Sequence, residues 1–188
     1  MTSAVDSLSD FSKTSFSALG RTRDVYRLGT GPSVMVIAEM PGITPSVANF
    51  ARRVASEGFS VVMPHLFGRD GEGPSNKAFG RTLAQVCISR EFTLLATKKS
   101  SSVTKWLTAL AHAEHEAHGG PGVGVVGMCL TGGFALAMMI DPVVVAPVLS
   151  QPSLPLGKSA TAKSSVGLSD DEIIAVRRRA EAGTCVVG

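Results

Sequence analysis

Cys129 stands in the run Gly127-Met128-Cys129-Leu130-Thr131-Gly132-Gly133, directly after an apolar stretch at 123–126 and directly before an apolar helical start at Phe134. A strand that turns sharply into a helix pushes the side chain at the corner clear of both elements, and flanking glycines keep that corner open. A thiol presented there is a nucleophile. Sulfur attacks an acyl carbon even when only partly ionised, and the N–H groups of a helix start favour its charged form. Such chemistry also needs a base. The chain has four histidines, His65, His112, His115 and His118, and none follows His118 in the sequence.

The elements that must hold this corner are readable from hydrophobic patterning. At 188 residues, with 44% hydrophobic and 18% charged residues, the chain can bury one sizeable core and reads as one domain over 1–188. Residues 1–12 are Ser-rich and aperiodic, the pattern of a loose end, and 16–28 suggests an edge hairpin. The continuous run at 33–39 is typical of a strand covered on both faces. It ends at Met40-Pro41-Gly42. Thr44 followed by Pro45 predicts a helix start, with apolar residues at helical spacing up to Gly58. A second strand at 59–63 completes a β-helix-β unit, which implies parallel strands and a right-handed crossover.

A long loop follows at 64–80, at the carboxyl end of that strand, where open α/β sheets place ligands. Helices are expected at 83–98 and 102–118, a central strand at 123–126, a helix at 130–140 and another strand at 143–149. Residues 150–168 read as a loop or small cap. A helix at 169–182 opens with a capping-box pattern, Ser169 to Glu172, and 184–187 reads as the start of one more strand. The fold class is therefore α/β, a doubly wound, mostly parallel sheet.

Several segments together resemble the dienelactone hydrolase family, cysteine-dependent α/β-hydrolases that open lactone rings. The matching pieces are Val36-Ile37-Ala38-Glu39-Met40-Pro41-Gly42-Ile43, Gly58-Phe59, Pro64-His65-Leu66-Phe67-Gly68-Arg69, Gly124-Val125-Val126-Gly127-Met128-Cys129, and Ala146-Pro147-Val148. The resemblance implies a hydrolase acting on a carboxylic ester or lactone, with Cys129 as nucleophile and Glu39 controlling its protonation. It implies oxyanion donors at the backbone N–H groups of Leu130 and Met40, and a carboxylate-binding arginine at Arg69, whose planar guanidinium suits a two-oxygen anion. Two departures stand out. Thr131 occupies a position where the family elbow has glycine. The family's aspartate and histidine fall beyond the point corresponding to Val187, so the expectation is an α/β-hydrolase truncated before its C-terminal strands and helix, with activity impaired by the missing base. The competing reading is a non-catalytic, vestigial module of the same fold.

Plainer readings stand beside these. A cysteine can be a small buried apolar residue, Glu39 can serve a turn, and Arg69 can be a solvated loop cation. His112, His115 and His118 recur every third residue, so they drift around a helix and suit a three-ligand metal site poorly. Asp141 and Asp170 are conceivable acids without a histidine to orient. Gly122-x-Gly124-x-x-Gly127 matches a dinucleotide pattern, but the strand lies inside it rather than before it. No metal and no cofactor is implied. The +3 net charge is scattered, which gives nucleic acid no footprint, and Arg177-Arg178-Arg179 reads as a helix C-terminal cluster. The longest apolar region is broken by Asp141-Pro142 and Pro147, which argues against a membrane span, and a cytoplasmic location is expected. Cys87, Cys129 and Cys185 are expected as free thiols. An uncovered sheet edge would allow self-association.

Overall fold

A computed structural model describes residues 5–88, 102–152 and 168–187, the side chains of 86–88 excepted. Its centre is a six-stranded sheet in the order β1-β2-β4-β3-β5-β6. β1 (Ser12–Ala18) and β2 (Arg21–Leu28) form the expected antiparallel hairpin, and β2 joins β4 (Ser60–Pro64) antiparallel. β4, β3 (Ser33–Ile37), β5 (Val123–Met128) and β6 (Val144–Ser150) run parallel.

Strand alternation splits the buried residues between two faces. Met35, Ile37, Val62 and Val125 face α3 (Ser102–His118), whose Val103, Trp106, Leu107 and Leu110 recur at helical spacing, and α4 (Gly132–Met138). Val36, Val61, Met63 and Val126 face α1 (Pro45–Ser56) through Val47, Ala48 and Ala51. Thr44 caps α1 through its side chain, with Pro45 at the first helical position, as expected.

Several boundaries differ from the sequence reading. β3 stops at Ile37, so Ala38 and Glu39 belong to the turn that follows. The loop after β4 closes at α2 (Asn76–Ile88), earlier than the helix expected at 83–98. The remainder of that helix lies outside the described residues, as does most of the 150–168 loop and the Cys87 side chain. The loose end expected at 1–12 is corrected from residue 5 onward. Leu8 and Phe11 are buried, and Arg52 of α1 reaches both Asp6 at 2.7 Å and Asp10 at 2.7 Å. A short segment that supplies two apolar anchors and two carboxylates is fixed by tertiary contacts that its aperiodic sequence conceals.

α5 (Asp170–Glu181) begins with the expected capping box, Ser169 and Glu172 each bonding the other's backbone N–H. Beyond it Val187 bridges β6 in parallel, donating to Pro147 O and accepting from Leu149 N at 2.7 Å. Among the described residues, no helix is long and apolar enough to cross a membrane.

Candidate active site

β3 and β5 are neighbours in register, with Ile37 opposite Gly127. Glu39 and Cys129 therefore each lie two residues past a paired position, at the carboxyl ends of adjacent parallel strands. Cys129 is a free, half-buried thiol with φ of +53°, a left-handed backbone that a residue with a side chain rarely adopts. This conformation makes the corner: β5 ends at Met128, one 3-10 turn covers Cys129–Thr131, and α4 starts at Gly132. The helix expected at 130–140 is thus shorter, and its first turn is wound more tightly. Gly127 is required by crowding, since a Cβ there would sit 2.4 Å from Thr131 O.

Thr131, which the sequence marks only as a departure from the family's glycine, is fully buried and hydrogen-bonded through its side chain. Its Oγ1 accepts from Met128 N at 2.8 Å and directs its one proton at the carbonyls of Ile37, 2.9 Å, and Met128, 2.8 Å. The signal was present in the sequence: a hydroxyl in an apolar, glycine-lined corner must find buried partners.

The two expected oxyanion donors lie on the segments that follow β3 and β5. Leu130 N–H is in the first turn after the corner, where no intrahelical acceptor exists. Met40 follows Glu39 in the β3 turn. Neither N–H bonds to another described residue. The turn itself is held by Gly42 N to Glu39 O at 2.8 Å and by Thr82 Oγ1 of α2, which donates to Pro41 O at 3.0 Å. Glu39 Oε2 accepts from Gln151 Nε2 at 3.0 Å, a partner just past β6 that no local pattern predicted. A cavity of about 300 Å³ opens beside this turn, lined by Met40, Pro41, Pro74, Ser75, Asn76 and Phe79. A larger one, about 540 Å³, lies between α3, the end of α4 and the start of α5, and touches none of the elbow residues.

Arg69 is exposed in the loop after β4, and its guanidinium has no partner among the described residues. That loop abuts the Met40 turn backbone to backbone. A Cβ on Gly68, whose φ is +87°, would lie 1.9 Å from Pro41 O. Met40, Leu66 and Cys129 pack against one core cluster, so the three carboxyl-end segments converge there.

The histidines go elsewhere. His65 Nε2 lies 3.1 Å from Asp70 Oδ1. His112 meets Asp141 at 3.0 Å, and Asp141 also caps Val143 N. His118 joins Ser60 Oγ at 3.1 Å and Glu114 O at 3.0 Å, at the opposite end of the strands from Cys129. His115 has a buried Nδ1 with no partner among the described residues. None of the four hydrogen-bonds Cys129. No three metal-binding side chains cluster among the described residues.

A mostly parallel sheet with helices on both faces and a strained residue at the strand-to-helix corner defines an α/β-hydrolase fold. The model of the dienelactone hydrolase family matches residues 21–166. The chain belongs to the dienelactone hydrolase family, whose members are hydrolases. It is 32% identical over 110 residues to a carboxymethylenebutenolidase of a Pseudomonas species, a match covering 57% of this chain and 44% of that one, so the match spans under half the relative's length. Among solved structures, a candidate dienelactone hydrolase of Klebsiella pneumoniae shares the fold with a TM-score of 0.59 at 16% identity, over 95% of this chain and 83% of that one. A dienelactone hydrolase-like promiscuous phosphotriesterase from metagenomic libraries gives a TM-score of 0.54 at 17% identity, over 94% of this chain and 80% of that one.

Proposed function

We propose that this chain attacks carboxylic esters or lactones through Cys129. The observation that carries the reading is the left-handed backbone of Cys129 at the strand-to-helix corner, beside Glu39 and two uncommitted N–H groups. The Cys129 thiol loses its proton toward Glu39 and its sulfur bonds to the carbonyl carbon. The N–H groups of Met40 and Leu130 hold the oxyanion. Collapse of the tetrahedral species breaks the acyl carbon–oxygen bond, and the leaving oxygen takes up the proton. In a lactone the alcohol stays tethered to the acyl group. Water then cleaves the thioester, releasing the acid and restoring the thiol. Arg69 would hold a substrate carboxylate through paired hydrogen bonds.

The distribution of the histidines favours slow completion. With none of the four hydrogen-bonded to Cys129, no imidazole among the described residues is placed to activate the water, so acylation should outpace deacylation. Mixing the protein with a p-nitrophenyl ester should release about one equivalent of nitrophenolate in a burst, with the acyl group recovered on Cys129 by mass spectrometry. Cys129→Ala should abolish the burst. Rapid steady turnover without a burst would overturn the slow-deacylation reading. No acylation at all would favour the non-catalytic module.

A further inference from the structure

Asp70 gathers side chains from two strands and from the residue just after a third. Its carboxylate accepts a hydrogen bond from the buried Tyr26 of β2 and pairs with Lys13 of β1 at 3.1 Å, while Lys13 also reaches Asp24 at 2.8 Å. His65, just past β4, brings Nε2 to 3.1 Å from Asp70 Oδ1, within ion-pair reach although not aligned as a hydrogen bond. On the next residue, Gly71 N donates to Ile43 O and Gly71 O accepts from Asp6 N, both at 2.9 Å. On the other side, Gly68 rests on Pro41 and donates its N–H to Gln85 Oε1 at 3.3 Å. Arg69 is thus bracketed by anchored residues while its own guanidinium stays uncommitted among the described residues.

Half-exposed ion pairs of this kind add little stability. Their consequence is geometric. They fix the main chain from which Arg69, a cation without a partner among the described residues, projects next to the turn that carries Met40. We infer that Asp70 is a positioning residue for Arg69, setting the loop so that the guanidinium meets a substrate carboxylate at the Cys129 corner. This rests on the reading of Arg69 as the carboxylate-binding group.

The sign of the effect separates positioning from plain electrostatics. Asp70 is a negative charge beside an anion site, so neutralising it without moving anything would improve reaction with an anionic reagent. If Asp70 positions Arg69, the same change impairs it. The test needs no turnover: the Cys129 sulfur displaces iodide from iodoacetate, which is anionic, or from iodoacetamide, which is neutral, and the modified Cys129 peptide is followed by mass spectrometry.

Arg69→Ala should lower the iodoacetate-to-iodoacetamide rate ratio about tenfold, the loss of one charged hydrogen-bonding group. Asp70→Asn should lower the ratio about threefold in the same direction, with the iodoacetamide rate within about twofold of the parent. Tyr26→Phe removes one bond to Asp70 and no charge, and should lower the ratio about twofold even where Asp70→Asn folds poorly. An unchanged or raised ratio in Asp70→Asn or Tyr26→Phe, with Arg69→Ala still lowering it, overturns the Asp70 role alone. An unchanged ratio in Arg69→Ala overturns the Arg69 reading and the Asp70 role together.

Discussion

Thr131 Oγ1 lies 2.9 Å from Ile37 O, a bond between residues 94 positions apart that ties the nucleophile corner to the end of β3. The same oxygen accepts from Met128 N, so it joins the two segments whose N–H groups, at Met40 and Leu130, are proposed to hold the oxyanion. Thr131→Val keeps the shape and removes the oxygen, leaving a buried N–H and a buried carbonyl short of a partner. It should cost about 1–3 kcal/mol, seen as a lower Tm. Because the two donors lose their shared support, the acylation rate should fall about tenfold, less than loss of a whole donor. Thr131→Ser, which keeps the oxygen, should retain most of the rate. Equal rates for the Val and Ser variants would remove the positioning role.

The +53° φ of Cys129 gives a second prediction. A side chain in left-handed backbone costs about 1–2 kcal/mol, and glycine escapes that cost while losing about 0.5–1 kcal/mol to chain entropy. Cys129→Gly should therefore be more stable than Cys129→Ala by about 0.5–1 kcal/mol, the reverse of the usual order. Denaturant unfolding of the two variants decides it. A less stable glycine variant would mean the corner is not strained.

What was legible in the sequence was local. Thr44-Pro45 and Ser169 with Glu172 announce helix starts because the capping groups lie within one turn of the N–H groups they satisfy. Cys129 was legible because the corner imposes glycine at 127, where a Cβ would meet Thr131 O. What stayed hidden depends on distant partners. Leu8 and Phe11 have no periodicity of their own, and only the folded sheet gives them a core to enter. Gln151 sits in a polar stretch indistinguishable from any loop, and its meaning comes from Glu39, 112 residues away. Asp70 likewise acquires its partners from two distant strands and the end of a third.

Glu39 is proposed to take the thiol proton, and Gln151 holds one of its two oxygens. Glu39→Gln keeps the size and removes the acceptor charge, so acylation by an activated ester should slow about 10²-fold. Gln151→Leu removes a single positioning bond worth about 1 kcal/mol, so the rate should fall about fivefold. Stopped-flow measurement of nitrophenolate release checks both. An unchanged rate in Glu39→Gln would take that carboxylate out of the reaction.

The amino-terminal clamp makes a pH prediction. Arg52 donates to both carboxylates, with Nη1 and Nη2 on Asp6 and Nε and Nη2 on Asp10, while stacking over Phe11. Hydrogen bonding to Arg52 is the main cause that holds the Asp6 and Asp10 carboxyls below the ordinary aspartate range, against a smaller opposing effect of burial. Folding thus favours the ionised forms. The resulting stability is fully present above the unfolded aspartate pKa, about 3.9, and is lost as pH falls through the lower folded values. Arg52→Ala should lower Tm at pH 6–7 by roughly 4 °C, from about 1–2 kcal/mol of charge-assisted bonding. The gap between parent and variant should stay level down to about pH 5 and narrow below about pH 4. A gap that stays constant into strong acid would mean that Arg52 acts through packing on Phe11 rather than through the two carboxylates.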